Sequence, residues 1–214
     1  MELLVIALLG LAAYMIGSIP PAYFLVRAVK GVDLREVGSR NVGTLNTYHQ
    51  VGIWGAGLVL AVDVGKGALA AFLPGWMGLP DWAIYVTGLL VIVGHNWTFI
   101  LGFRGGKGAA TVIGVCLAFL PLPTLIALVP GALAVLLSRN AIVGLTVGYI
   151  LVNLVVIAVV VFGLEPLLPD AGIHHIGFCL ALTALVAVTY GISIRQQLLN
   201  ALRSRSLRQV FYSS

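Results

Sequence analysis

Four polar groups interrupt an otherwise apolar chain, and each is of a kind that handles anions or protons. The first is Gly102-Phe103-Arg104-Gly105-Gly106-Lys107-Gly108, in which two cations sit among four glycines. Glycine has no Cβ, so backbone N–H groups approach a ligand closely, and Arg104 and Lys107 add positive charge. The chemistry predicted is capture of a phosphate. The same charges also fit a plain cytoplasmic loop. The second group lies between Gly31 and Asn46, where Ser39, Asn41, Thr44 and Asn46 are spaced between glycines. These hydroxyls and amides either donate to phosphate or polyol oxygens or only build turns. The third is Asp63 and Lys66, three apart on one helical face. Charges inside a bilayer must face protein or water. Either Lys66 lies by a bound anion with Asp63 orienting it, or the two form a structural ion pair. The fourth is His95-Asn96, just ahead of the glycine run. There His95 serves as a general base or as a hydrogen-bonding prop for the loop.

The glycine run is not a soluble phosphate motif. A Walker loop needs Ser or Thr after its Lys, and Gly108 stands there. The dinucleotide fingerprint Gly-x-Gly-x-x-Gly is absent too. The run opens a helix at about Ala109, so an anion would meet the positive helix end as well as Arg104 and Lys107. His174 and His175 alone do not make a metal site. Cys116 and Cys179 lie in apolar runs, with neither a disulfide framework nor metal spacing.

These groups must be positioned by membrane helices. Hydrophobic residues are 60% of the chain and charged residues 9%, with a mean hydropathy of +1.08, far outside the range of soluble domains. Apolar spans read as Leu3–Val26, Ile53–Leu73, Trp82–Phe103, Ala109–Leu120, Leu122–Leu137, Ile142–Leu164 and Ile176–Ile194. The fourth and fifth are shorter than the roughly 20 residues of a full span. Pro121 and Pro123 lie between them and suggest two short helices with a tight turn. The prediction is an all-α integral membrane protein, a compact bundle of seven transmembrane helices.

Charge sets the orientation. Of the 12 Lys and Arg residues, Lys66 lies within a span. The others, from Arg27, Lys30, Arg35 and Arg40 through Arg104, Lys107 and Arg139 to Arg195, Arg203, Arg205 and Arg208, all fall on one side. Glu2, Asp81, Glu165 and Asp170 fall on the other. This places the N-terminus outside and the C-terminus in the cytoplasm. It also explains the net charge of +5 without nucleic acid. The N-terminus lacks the basic region of a signal peptide. Residues 1–194 read as a single transmembrane domain and 195–214 as a basic cytoplasmic tail that either lies on an anionic leaflet or frays.

In this order, the pieces resemble the bacterial integral-membrane acyl-phosphate:glycerol-3-phosphate acyltransferase family. The resemblance rests on Gly17-Ser18-Ile19-Pro20, Gly31-Val32-Asp33-Leu34-Arg35, Gly38-Ser39-x-Asn41-x-Gly43 with Asn46, Asp63-x-x-Lys66-Gly67, Gly94-His95 and Gly102 through Thr111. It implies seven transmembrane helices and a multi-pass protein of the bacterial plasma membrane, with the site at its cytoplasmic face. It implies transfer of a fatty acyl group from acyl phosphate to glycerol 3-phosphate, giving lysophosphatidic acid and phosphate. It implies no coenzyme A, acyl carrier protein, metal or other cofactor. The site it implies has Ser39 and Lys107 as catalytic residues. Asn41, Asn46, Arg104, Gly105, Gly106, Gly108, Lys66, His95 and Gln197 bind substrate.

The chain departs from the family pattern at several positions. Arg40 replaces the glycine of Gly-Ser-Gly-Asn. His49 stands where an Arg follows the Asn46 position, and Asn96 where a proline follows His95. A serine near the start of the sixth span is replaced within Ile142-Val143-Gly144. The C-terminal Arg-His-Arg-Glu-Asn-Ile becomes Ser193-Ile194-Arg195-Gln196-Gln197-Leu198, which loses the His and leaves Gln197 for the Asn. The alternatives are therefore a relative that binds lipid phosphates without turnover, or one that acylates a different acceptor. An ion-coupled transporter, suggested by Asp63 and Lys66, lacks the expected internal repeat.

Overall fold

The computed structural model describes residues 1–138 and 140–203; within the last helix the side chains of 193, 194 and 196–203 lie outside the description. The elements are α1 (Glu2–Ser18), α2 (Pro21–Lys30), α3 (Thr44–Trp76), α4 (Trp82–Asn96), a 3-10 turn (Phe99–Leu101), α5 (Ala109–Phe119), α6 (Pro121–Ser138), α7 (Ala141–Phe162) and α8 (Ile173–Arg203). Among the described residues, six helical segments are long and apolar enough to cross a membrane: Glu2–Lys30, Thr44–Trp76, Trp82–Leu101, Pro121–Ser138, Ala141–Phe162 and Ile173–Ile192. The shorter apolar helix Ala109–Phe119 rises only about 16 Å, against a hydrocarbon core of about 30 Å.

The chain divides into two compact units, Met1–Phe119 and Leu120–Ser214. In the first, α1 packs on α4, while α3 packs on α2, α4 and α5. The contacts are made by small residues, as in membrane interfaces where backbones meet closely. A Cβ on Gly17 would strike the Val91 carbonyl oxygen, and one on Gly94 the Tyr14 carbonyl oxygen. Between α3 and α5, Gly67 lies on the Thr111 carbonyl and Gly114 on the Val64 carbonyl. Gly114→Leu is therefore expected to destabilise the protein by about 2–3 kcal/mol. Gly57→Leu, also in α3 but with open space around its α-carbon, should change stability by less than about 0.5 kcal/mol. Thermal unfolding in detergent compares the two.

Two breaks were not apparent as apolar runs. The first predicted span is interrupted after Ser18, because Pro20 and Pro21 cannot donate to a continuing helix; Pro21 starts α2. The carbonyls of Ser18 and Ile19 are thereby left for other donors. In α3, Gly52 (φ 81°, ψ −171°) is non-helical. The long membrane segment after this kink begins at Ile53, where the apolar run begins, and the helix ahead of it belongs to the first polar loop.

In the second unit, Pro121 opens α6, as suits a residue with no N–H to satisfy. Helices α6 and α7 meet through Gly131, whose α-carbon lies by the Gly144 carbonyl. Gly144, in the Ile142-Val143-Gly144 stretch that replaces the family serine, thus serves helix packing. Asn140 caps α7 by accepting from the Ile142 and Val143 N–H groups. Asn153 Nδ2 donates to Thr183 Oγ1 at 2.7 Å, tying α7 to α8. His175 Nδ1 accepts from the Gly172 N–H at 3.1 Å, a local bond at the start of α8. Both cysteines are buried.

Candidate active site

The first polar loop is held by three devices. Leu34 and Val42 insert into an apolar cluster with Ala22, Val26, Val59 and Leu101. Asn46, 1% exposed, donates from Nδ2 to the carbonyls of Leu34 (3.2 Å), Val37 (3.1 Å) and Asn41 (3.0 Å). Its amide nitrogen is therefore engaged by the loop itself. The third device is an ion pair. Arg35 NH2 lies 2.6 Å from Asp33 Oδ2, and Arg35 NH1 donates to the Leu101 carbonyl at 3.1 Å. Leu101 immediately precedes the glycine run, so Arg35 joins the two loops. The hydrogen bond from Arg35 pulls the Asp33 carboxyl below its ordinary range, and its partner Asp33 raises Arg35.

Ser39 is half-buried and lies between two left-handed residues, Gly38 (φ 57°) and Arg40 (φ 58°). Arg40 stands where the family pattern has glycine, yet it keeps the backbone conformation that glycine favours. A left-handed non-glycine residue costs about 1–2 kcal/mol. Arg40→Gly is expected to raise stability by about 1 kcal/mol, read as a higher unfolding temperature.

The glycine run turns back on α4. Gly102 (φ 63°) and Phe103 (φ 62°) are both left-handed, and the turn brings the Phe103 N–H to the Thr98 carbonyl at 2.8 Å. Thr98 Oγ1 in turn donates to the Ser18 carbonyl freed by the α1 break, at 2.5 Å. Gly105 N–H donates to the Asn96 carbonyl and Gly106 N–H to the His95 carbonyl, each at 3.0 Å. Sequence reasoning aimed these N–H groups at a ligand; the structure uses them to cap α4. Glycine is needed here because a Cβ on Gly105 would strike the His95 carbonyl oxygen and one on Gly108 the Asn96 side chain. Arg104 is exposed and Lys107 half-buried, with burial lowering the Lys107 ammonium from its ordinary range.

Beneath this loop lie Asp63, Lys66 and His95, exposed by 1%, 5% and 8%. Lys66 Nζ is 2.8 Å from Asp63 Oδ1, at an angle that makes the contact an ion pair without a directed hydrogen bond. Nζ also lies 2.8 Å from His95 Nδ1 and donates to the Ile19 carbonyl at 3.1 Å. The other ring nitrogen, His95 Nε2, lies against Gly106, and the Val42 carbonyl borders the same glycine. The first loop, the glycine run and the buried triad thus meet in one place within Met1–Phe119. Every sequence-predicted site residue lies in this unit except Gln197, whose side chain is outside the described residues. Asp33, Arg35, Thr98 and the Ser18 and Ile19 carbonyls were not anticipated as supports. The acid-x-base spacing of Asp33 and Arg35 and the Pro20-Pro21 pair were the available signals.

An all-helical, multi-pass membrane protein with a buried ion pair under two polar loops is the class that fold and site define. The family of glycerol-3-phosphate acyltransferases matches residues 7–200, and the chain belongs to it. It is 36% identical over 189 residues to the glycerol-3-phosphate acyltransferase of Symbiobacterium thermophilum, covering 88% of this chain and 87% of that one. It is 44% identical over 120 residues to glycerol-3-phosphate acyltransferase 2 of Dehalococcoides mccartyi. That match covers 56% of this chain and 57% of the relative, so the chain spans little more than half of that protein's length. The crystal structure of PlsY (YgiH), an integral membrane glycerol 3-phosphate acyltransferase in its glycerol 3-phosphate form, superposes with a TM-score of 0.78. Its identity is 27%, with 92% of this chain and 93% of that one covered.

Proposed function

We propose that this chain transfers a fatty acyl group from acyl phosphate to the 1-hydroxyl of glycerol 3-phosphate, releasing lysophosphatidic acid and inorganic phosphate. The observation that carries this reading is the seam at Gly106. It places the loop of Arg104 and Lys107 against the Val42 carbonyl of the loop that holds Ser39 and Asn41. Two anionic substrates need such paired polar loops, and the similar PlsY structure is described in a glycerol 3-phosphate form. The acceptor hydroxyl attacks the acyl carbonyl. Its proton passes to a phosphate oxygen of the substrate, and the C–O bond to phosphate breaks. An acyl phosphate is already activated, so the protein's work is alignment and charge stabilisation. Lys107 and Arg104 hold phosphate, Ser39 and Asn41 orient the acceptor, and Gly105, Gly106, Gly108 and Asn46 shape the loops.

In this reading α5 counts as a seventh span, the N-terminus faces out, and the loops and C-terminus face the cytoplasm of a bacterium's plasma membrane. Residues 1–194 act as one transmembrane domain with 195–214 as its basic tail, and no cofactor takes part. A second reading, acylation of another acceptor, is favoured by Ile194 and Gln197 at the positions of the family His and Asn. Phosphate release from acyl phosphate by the purified full chain, with glycerol 3-phosphate and with other alcohols in parallel, separates the two. Release with glycerol 3-phosphate supports the first reading, and release only with another alcohol supports the second. No release with any acceptor overturns both.

A further inference from the structure

The two polar loops are tied to each other at two points. The first loop meets the glycine run where Arg35 NH1 donates to the Leu101 carbonyl at 3.1 Å, and again where Gly106 lies against the Val42 carbonyl. Arg35 and Val42 bracket Ser39 and Asn41 in one loop. Leu101 and Gly106 bracket Arg104 in the other, with Lys107 one residue on. A single point of contact leaves two loops free to swing about it, and a second fixes their relative angle.

The Arg35 tie is built to hold a direction. Nε donates to Asp33 Oδ1 at 3.0 Å and NH2 to Oδ2 at 2.6 Å, a two-pronged contact that sets the plane of the guanidinium. The Tyr23 ring of α2 lies 5.4 Å from the guanidinium carbon, within cation–π range. With that plane set, NH1 reaches across to Leu101. The Leu101 N–H donates to the Thr98 carbonyl at 3.3 Å, and the next two residues, Gly102 and Phe103, are left-handed. The glycine run therefore takes its direction from the planar peptide that carries the Leu101 carbonyl, and Arg35 holds that carbonyl. The Arg35 and Asp33 side chains are 33% and 16% exposed, and a part-exposed ion pair adds little to stability. Geometry matters far more to two reacting groups, whose rate falls steeply with misplacement.

We propose that Arg35 is a positioning residue that aligns the two substrates, and so decides between acyl transfer to the acceptor and loss of the acyl group to water. This role rests on the acyltransferase reading, in which the first loop orients the acceptor and the glycine run holds acyl phosphate. With the loops aligned, the acceptor oxygen bonds to the acyl carbon as the C–O bond to phosphate breaks. With the loops loosened, a water oxygen forms that bond instead. The same C–O bond breaks, one water proton goes to the leaving phosphate, and the other is released as the fatty acid ionises.

The test gives the purified full chain acyl phosphate with and without glycerol 3-phosphate and reads lysophosphatidic acid and fatty acid. Arg35→Met should lower kcat for transfer by about 100-fold, change each KM by less than about 3-fold, and leave hydrolysis without acceptor nearly unchanged. The ratio of fatty acid to lysophosphatidic acid should rise by about the same factor. Arg35→Lys, which lacks the fork, should recover only part of the loss. Asp33→Asn should shift the ratio the same way by a smaller factor, and it carries the test if Arg35→Met does not fold. Arg27→Met removes an equal charge, from a side chain that donates to the nearby Gly31 carbonyl, and should leave the ratio at the wild-type value. Transfer and hydrolysis falling together overturns the role. So does a loss confined to the KM of glycerol 3-phosphate, or an Arg27→Met variant that matches Arg35→Met. Hydrogen exchange reads the tie without turnover. Arg35→Met should speed exchange at Phe103, Gly105 and Gly106, whose N–H groups are bonded in the wild type, and unchanged exchange overturns the tie. A wild-type chain that makes no lysophosphatidic acid, while exchange responds to Arg35→Met, counts against the acyltransferase reading alone.

Discussion

Lys107→Ala is expected to lower kcat/KM for phosphate release by about 100- to 1,000-fold while leaving the unfolding temperature nearly unchanged. Lys107 lies between Gly106, whose N–H is engaged by the end of α4, and Gly108, where the chain turns into α5. Its side chain is half-buried, so its charge is screened less than that of exposed Arg104. A charge held near developing negative charge in a partly desolvated place acts mainly on the transition state. Arg104→Ala should therefore have the smaller effect, about 10-fold, and appear mostly in KM. Lys107→Arg should recover only part of the loss, because a guanidinium fork replaces a point charge on a longer stem. Initial rates of phosphate release across acyl phosphate and glycerol 3-phosphate concentrations check all three. Equal losses for the two alanine variants would mean that the loops act only as a diffuse positive surface.

Asp63→Ala should destabilise the first unit by about 3–5 kcal/mol. Removing the carboxylate leaves the Lys66 ammonium buried with two neutral acceptors, the Ile19 carbonyl and His95 Nδ1. That uncompensated charge is the reason for the size of the effect. For a chain of this length, the expected fall in unfolding temperature is roughly 6–20 °C. The double replacement Asp63→Leu with Lys66→Met should recover most of the stability, because two apolar side chains remove both charges and their desolvation. It should not recover catalysis, because the resemblance counts Lys66 among the substrate-binding residues. Thermal unfolding in detergent together with turnover separates the two roles. A double variant as unstable as Asp63→Ala would locate the defect in packing.

Much of the architecture was legible from apolar runs, because a bilayer allows backbone only as helices or closed barrels. The run beginning at Ile53 coincides with the helix beyond Gly52, and the proline pair marks where α5 stops and α6 starts. The site was legible as residue types. The cations of the glycine run, the amides of the first loop and the Asp63–Lys66 spacing were all visible as exceptions in an apolar chain. Their partners were not. Gly105 and Gly106 read as open donors, yet their N–H groups cap α4. Asn46 read as a substrate contact, and the three loop carbonyls that its amide nitrogen serves were not visible in the sequence.

Composition and spacing, then, were enough for a helical membrane protein and for the expectation that two polar loops handle an anion, because desolvation forbids charges and irregular backbone in lipid without cause. Which atom each polar group meets depended on residues distant along the chain. Lys66 finds Ile19 and His95 only because prolines break α1 after Ser18, and glycines let α1, α3, α4 and α5 approach at backbone distance. Hydrogen bonds are directional and short-ranged, so the pairing that turns four polar groups into one candidate site exists only once those helices have packed.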